Sequence, residues 1–238
     1  MTLYMIGLGL WNAKDISVKA LEIVRSCDFV YLETYTSRLG CDISEMEELY
    51  GKKIILANRE LVEGDSDEIL KKEKDVAFLI MGDVFAATTH VDLRKRAVLH
   101  GIKVVVLHNA SVLTAVGETG LELYKFGKTT SIPFENENVL SPVDVLNMNR
   151  KNGLHTLFLL DLRPDEDRFM SVKEACEYLL KHTDDYMAVG CAGLGSDAPE
   201  IKYAKLSEME GFSLIPQCLI IPGNLHFMEE ESLAGFKK

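Results

Sequence analysis

The sequence predicts an α/β fold, because short apolar runs alternate with segments whose apolar residues recur at helical spacing. In the first part of the chain these runs are almost wholly apolar, which is typical of strands buried on both faces in a parallel sheet. At about 150 residues per domain, a chain of 238 residues fits one large domain or two compact ones. The alternation loosens near residues 108–111, so we predict an N-terminal α/β domain over residues 1–109 and a C-terminal α/β domain over residues 110–238.

The predicted N-terminal domain opens with an apolar strand that runs into a glycine turn, followed by a helix with Asp15 and Ser17 as N-cap candidates. Thr88 or Thr89 is expected to cap the last helix of this domain. The strands predicted here are Leu3–Leu8, Phe29–Leu32, Ile54–Ala57, Val76–Met81 and Val104–Leu107. The helices predicted here are Ile16–Cys27, Ser44–Tyr50, Asp65–Lys74 and Val91–Leu99.

The predicted C-terminal domain also mixes both kinds of element, with no internal repeat and no long linker in the sequence. The helices predicted here are Val112–Glu118, Val143–Arg150, Val172–Lys181 and Met228–Leu233. The strands predicted here are Thr129–Ile132, Thr156–Leu160, Ala188–Cys191, Ile201–Lys205 and Cys218–Ile221.

Composition excludes several classes of protein. The hydrophobic fraction of 47% is that of an ordinary globular chain, and the formal net charge of −11 argues against a nucleic-acid partner. No apolar stretch approaches the roughly 20 residues of a membrane span, and the N-terminus has no basic, signal-like start. The five cysteines form no C-x-x-C pair, so we expect no metal site, reduced thiols and a cytoplasmic location.

The turn after the first strand imitates a dinucleotide-binding fingerprint. Gly7 and Gly9 stand in the expected places, and Glu33 ends the second strand where a ribose-binding acid would lie. However, Asn12 replaces the third glycine and the helix begins several residues late, whereas a phosphate needs helix N–H groups directly behind the turn. A nicotinamide site is therefore disfavoured, and a turn that needs glycine dihedrals is the simpler interpretation.

Two turns of small and polar residues follow later strands. Residues 82–90 follow the apolar strand Val76–Met81, with Gly82 able to let a ligand approach the backbone and Asp83 able to accept from a ribose or an amine. Residues 108–112 form a second such turn after the next strand. Because ligands bind outside the carboxyl ends of parallel strands, we predict that both turns lie at adjacent strand ends and outline one pocket.

Together these segments resemble the diphthine synthase family of the tetrapyrrole methylase superfamily, and they look closer to its eukaryotic than to its archaeal members. The matching segments run in order over nearly the whole chain. They are Ile6–Leu10, Asp15–Lys19, Glu33–Ser37, Gly82–His90, His108–Ser111, Ala115–Gly117, Tyr124–Gly127, Gly153–Thr156, Leu160–Asp161, Phe169–Ser171 and Ile221–Gly223.

The resemblance implies two α/β domains of the tetrapyrrole methylase type with a cofactor cleft between them. It implies a homodimer and S-adenosylmethionine as cofactor, with S-adenosylhomocysteine as product. It also implies methylation of a modified histidine on translation elongation factor 2 during diphthamide biosynthesis, an amine methylation to which a carboxylate methyl ester can be added.

Carried over position by position, the family's cofactor contacts fall on eight residues and include no catalytic base and no metal ligand. They are Leu10, Asp83, Ala86, Ser111, Val112, Leu160, Ala192 and Gln217. Gln217 stands where the family usually has a histidine, and Val84 where a proline commonly follows Gly-Asp. The segments 161–171 and 182–185 look short beside the family.

Three aromatic side chains lie on candidate site loops: Trp11, Tyr35 and Phe85. We hypothesise that at least one faces the methylated amine, because aromatic faces stabilise fixed cations.

Three other functions remain open from the sequence: a methylase acting on a tetrapyrrole ring, a nicotinamide-binding oxidoreductase, and an inactive interaction module.

Overall fold

The computed structural model describes residues 1–64 and 66–237. In it the chain divides into two compact units, Met1–Leu113 and Thr114–Lys238. The boundary after residue 109 stays a prediction, and each unit is described by itself. Among the described residues, no helix combines the length and the apolar character that crossing a membrane requires.

The first unit is built on a sheet of five parallel strands in the order β3-β2-β4-β1-β5. The strands are β1 Thr2–Gly7, β2 Phe29–Glu33, β3 Ile55–Ala57, β4 Val76–Ile80 and β5 Lys103–Leu107. The helices are α1 Val18–Ser26, α2 Ile43–Tyr50, α3 Asp67–Leu70 and α4 Val91–Leu99. The parallel sheet that the apolar runs predicted is confirmed.

Both faces of this sheet are buried, as continuous apolar strands require. Along β1, Leu3 and Met5 belong to a core cluster that includes residues of α3 and α4. Ile6 and the following Leu8 belong to a second cluster that includes residues of α1 and α2. Because successive side chains of a strand point to opposite faces, one strand supplies both cores.

The helix termini agree only in part with the sequence analysis. The Ser17 side chain accepts from the Ala20 N–H at 3.2 Å and caps α1, as predicted. The prediction that Thr88 or Thr89 caps α4 is wrong, because α4 has no side-chain cap. The Thr88 hydroxyl lies 2.8 Å from Nδ1 of buried His90, and Thr89 donates to Glu63 at 2.7 Å.

The polar helix predicted over Asp65–Lys74 is mostly absent. A single π-helical turn covers Glu60–Gly64, and only Asp67–Leu70 is α-helical; Asp65 lies outside the described residues. Glu73 has a φ of 54°, in the left-handed region that ends a helix. The apolar pair Ile69 and Leu70 is buried, but the lysine-rich residues after it supply no apolar stripe that would hold a longer helix against the sheet.

The second unit contains a mixed sheet in the order β11-β10-β12-β7-β6, in which only the pairing of β6 with β7 is parallel. The strands of this sheet are β6 Thr130–Ile132, β7 Thr156–Leu160, β10 Met187–Ala192, β11 Glu200–Lys205 and β12 Gln217–Ile221. A separate hairpin pairs β8 Leu162–Arg163 with β9 Arg168–Phe169. The sequence did not predict this hairpin, since two residues are too few to show periodicity.

The remaining helices are α5 Val112–Ala115, α6 Ser141–Lys151, α7 Val172–Leu180 and α8 Phe227–Ala234. The helix predicted over Val112–Glu118 changes to a 3₁₀ turn at Val116–Thr119. α6 and α7 contribute to one hydrophobic core with β7 and β12.

A buried ionic network joins α8 to the rest of the second unit. The Glu229 carboxylate is fully buried and accepts from His155 Nε2 at 2.9 Å, from the Glu122 N–H at 2.9 Å and from the His226 N–H at 2.7 Å. It also pairs with Lys125. Burial acts to raise the pKa of Glu229, but these hydrogen bonds outweigh it and lower the pKa to about 2.

We therefore predict that Glu229→Gln lowers the free energy of unfolding by about 3 kcal/mol at pH 7. A carboxylate whose pKa is lower in the folded than in the unfolded chain stabilises the fold at pH values above its unfolded-state pKa. As the pH falls from about 5 towards 2 the carboxylate becomes protonated, so the difference between wild type and variant should shrink. Urea denaturation across this pH range measures it. The matched control is Glu230→Gln, at an exposed neighbour. An equal effect of both substitutions would contradict the prediction.

Candidate functional site

The candidate site lies where the chain leaves β1 and β4. These two strands are neighbours in the first sheet, but the chain continues from β1 to α1 and from β4 to α4. Because α1 and α4 contribute to different core clusters, on opposite faces of the sheet, the two loops diverge. A divergence of this kind at the carboxyl ends of parallel strands is where α/β proteins bind ligands.

Two glycines join these loops backbone to backbone. Gly9 N donates to Gly82 O at 3.2 Å, and Gly82 N donates to Gly9 O at 2.8 Å. Their φ angles are +86° and +79°, a region that side chains strongly disfavour. A Cβ added at Gly82 would meet only an ordinary contact, the Ala110 carbonyl oxygen at 3.9 Å, so the backbone here is uncrowded and accessible to a ligand.

The loop after β5 reaches the same place, although β1 lies between β4 and β5. The prediction that the two polar turns follow adjacent strands is therefore wrong. They meet nonetheless, because Asp83 Oδ2 accepts from His108 Nδ1 at 2.8 Å and from the Asn109 N–H at 3.1 Å. Gly7, at the end of β1, permits this bridge, since a Cβ there would lie 2.7 Å from Gly82 O and 3.0 Å from the Asn109 Cβ.

Asn109 fixes the third loop, a role that the sequence analysis did not assign. Its Nδ2 donates to Gly7 O and to Asp15 O, both at 3.0 Å. The Asp15 carboxylate in turn accepts from the Trp11 N–H at 2.7 Å and from the Asn12 N–H at 3.1 Å. Asp15 thus holds the loop after β1 and does not cap α1.

The Asp83 carboxylate is held as an anion. Burial acts to raise its pKa, but hydrogen bonds from the Phe85 N–H at 3.2 Å, from His108 and from the Asn109 N–H outweigh it, so the pKa lies below its usual range. The next residue, Val84, is fully buried among core side chains, so the turn is anchored without the proline expected from the resemblance. The site therefore presents a fixed negative charge.

Glu33 does not serve as a ribose acceptor. It is fully buried, and both of its oxygens already accept hydrogen bonds. The Tyr35 and Thr36 N–H groups donate to Oε2 at 3.2 and 3.0 Å, while the Met81 N–H at 3.2 Å and the Thr36 hydroxyl donate to Oε1. Burial raises the pKa of this carboxyl group. The acidic residue that a dinucleotide site would need for its ribose is therefore already occupied.

The first unit brings together five of the proposed cofactor contacts at these loops. Leu10 directly follows Gly9, the Ala86 N–H donates to Asp83 O at 3.4 Å, and Ser111 and Val112 close the turn after β5. Ser111 is buried and the other four are half-buried. That these residues bind a cofactor stays a prediction.

The other three proposed contacts lie at the same end of three neighbouring strands of the second sheet. Leu160 ends β7, Ala192 ends β10, and Gln217 begins β12 directly opposite Ala192. The side chain of Gln217 is occupied, because its Oε1 accepts from the Val172 N–H at 2.7 Å and its Nε2 donates to Leu214 O at 2.9 Å. A ligand could therefore contact Gln217 only through its backbone or through side-chain atoms other than Oε1 and Nε2.

Residues 2–210 match the family model of the Tetrapyrrole (Corrin/Porphyrin) Methylases. The chain is 44% identical to the diphthine methyl ester synthase of Bos taurus over 269 aligned positions, covering 98% of this chain and 94% of that protein. It is 41% identical to the diphthine synthase of Methanococcus maripaludis, covering 97% of each. A crystal structure of diphthine synthase, 39% identical, matches with a TM-score of 0.94 over 100% of this chain and 96% of that one.

The chain belongs to the diphthine synthases of the tetrapyrrole methylase family. This confirms the resemblance and the α/β fold class, and it makes the protein a methyltransferase. The two identities differ by little, in the direction of the eukaryotic relative. In this diphthine synthase family member, the glycines of the β1 loop permit a close approach of the backbone to the loop after β4.

We predict that Gly7→Ala lowers the free energy of unfolding by about 1–3 kcal/mol, the usual cost of forcing a methyl group into packed atoms. The added Cβ would press on Gly82 O, a backbone atom that cannot turn aside. Urea denaturation measures the change. Gly235→Ala is the control, because its Cβ would meet only ordinary contact, at 3.4 Å from Ser232 O, at a φ of −67°. Equal stabilities of the two variants would contradict the close approach at Gly7.

Proposed function

We propose that this methyltransferase uses S-adenosylmethionine to methylate the modified histidine of translation elongation factor 2 in diphthamide biosynthesis. The observation that carries the proposal is the near-complete coverage of relatives named diphthine synthase and diphthine methyl ester synthase. The name of the bovine relative favours ester formation in addition to amine methylation. We further propose a homodimer located in the cytoplasm, without a nucleic-acid or membrane partner.

The chemistry of the first unit fits this cofactor. S-Adenosylmethionine carries a sulfonium and an ammonium group and supplies a methyl group to a nucleophile, with a neutral thioether as the leaving group. Asp83 provides a fixed negative charge next to Gly82, whose backbone is uncrowded. The side chain of Glu33 is occupied by hydrogen bonds from the loop backbone, so a ribose would have to be bound by other groups.

In this proposal the chain contributes mainly position and electrostatics. Displacement at a methyl group needs the nucleophile, the carbon and the leaving sulfur in line, and holding reactants in such an arrangement lowers the barrier by several kcal/mol. The double hydrogen bond between Gly9 and Gly82 and the amide of Asn109 fix three loops relative to one another. The eight proposed contacts, Leu10, Asp83, Ala86, Ser111, Val112, Leu160, Ala192 and Gln217, would hold the cofactor.

A methylase acting on a tetrapyrrole ring is the second candidate, because the family model carries that description. Both candidates use the same class of cofactor, so binding experiments do not separate them. A methylation assay on elongation factor 2 carrying the unmethylated precursor, beside one on a tetrapyrrole, decides between them.

Thermal denaturation with excess S-adenosylhomocysteine is expected to raise the midpoint by about 5–10 °C, because ligand at a hundred times its dissociation constant adds about 2.7 kcal/mol. NADH in a parallel sample is expected to leave the midpoint unchanged, since the acid that would bind its ribose is occupied. A shift with NADH alone would restore the oxidoreductase interpretation. No shift with either compound would favour an inactive interaction module.

Asp83→Ala is expected to weaken S-adenosylhomocysteine binding at least tenfold, about 1.4 kcal/mol, because it removes the anion and loosens the turn after β4. Isothermal titration calorimetry measures the dissociation constant. Asp83→Asn, of nearly the same shape, separates charge from shape, and exposed Asp165→Ala is the control. An unchanged dissociation constant in Asp83→Ala would remove this residue from the proposed contacts.

A further inference from the structure

His108 and Asp83 form an imidazole–carboxylate pair directly after β5 and β4, at the carboxyl end of the parallel sheet. Nδ1 of His108 lies 2.8 Å from Asp83 Oδ2, and the ring packs edge-on against Phe85, with centroids 6.2 Å apart. The Asn109 N–H holds the same carboxylate oxygen from the next residue. The orientation of the imidazole ring is therefore fixed by two residues of the neighbouring loop.

The pair also fixes where the proton of the ring resides. An ionised carboxylate only accepts hydrogen bonds, so the atom that faces it, Nδ1, must carry a proton. In the neutral ring the lone pair then belongs to Nε2. The His108 side chain is 67% exposed while Asp83 is only 17% exposed, so the pair presents its basic nitrogen towards solvent.

We propose that His108 is the general base that removes a proton from the amine to be methylated, with Asp83 as the residue that positions it. This inference rests on the proposed function and adds a catalytic residue to it. The cofactor contacts carried over from the family include no base, and the pair was not apparent from the sequence because 25 residues separate its members.

The chemistry explains why a base helps with one nucleophile and not with another. A free α-amine has a pKa of about 8, so at pH 7 about nine-tenths of it is an ammonium group without a lone pair. Nε2 of His108 takes a proton from this nitrogen, whose freed lone pair forms the N–C bond as the C–S bond breaks. The proton then passes to solvent from the exposed ring. A carboxylate is already ionised at pH 7 and needs no such step.

The experiment compares the wild type with His108→Gln on elongation factor 2 carrying the amine precursor, counting methyl groups by mass spectrometry over time. We expect amine methylation at least tenfold slower, with ester formation and the dissociation constant of S-adenosylhomocysteine within about twofold of wild type. General bases typically contribute 10²–10⁴-fold, and part of this is lost here because some amine is already deprotonated. His100→Gln, at the end of α4, is the matched control and should leave all rates unchanged.

A second variant tests for a merely structural role. In His108→Ala, free imidazole added to the assay is expected to restore part of the amine methylation, since it supplies the missing base without restoring a fold. Unchanged amine methylation in His108→Gln, an equal slowing of ester formation, or a failure of imidazole to rescue would overturn the inference. A wild-type protein that methylates neither group of elongation factor 2 would instead overturn the proposed function on which it rests.

Discussion

The close approach of three backbone segments at Gly7 is the constraint on which the candidate site depends. β1 lies between β4 and β5, so any link between the loops that follow those two strands must pass over the end of β1. A side chain at residue 7 would occupy the space that Gly82 O and Asn109 Cβ require. Because Gly7 has none, Asp83 can reach His108 and Asn109, and one carboxylate orders two loops that are remote in the sequence.

Much of the fold could be predicted because its signals are local. Almost wholly apolar strands such as Val76–Ile80 predicted burial on both faces, and the cap of α1 at Ser17 followed from residue type and position. The order of strands could not be predicted in the same way, since nothing within a strand tells which neighbours it will have. That β1 is inserted between β4 and β5 emerges only from contacts across the whole sheet.

In the candidate site, too, the residues with local signals could be predicted and their long-range partners could not. Gly82 and Asp83 could be selected from the sequence, since a glycine and an acid after a buried strand are common at ligand sites. Their partners could not, because the contacts of Asn109 with Gly7 and Asp15 span 102 and 94 residues. A short-range pattern also misled at Thr88, whose hydroxyl meets buried His90, whereas Glu33, already disfavoured as a ribose acid, binds backbone N–H groups of two loops. Both residues had suitable chemistry but were already occupied.

The amide of Asn109 has a consequence for how the chain can vary in length. A single side chain spans the ends of β1 and β5, and a carboxylate spans β4 and β5, so one added residue in any of these loops would pull a donor from its acceptor. The turn between β8 and β9 is at the surface, with residues 165–167 exposed. Insertions, affinity tags and reporter peptides are therefore best accommodated at residues 164–167, a surface turn outside the three loops that these hydrogen bonds join.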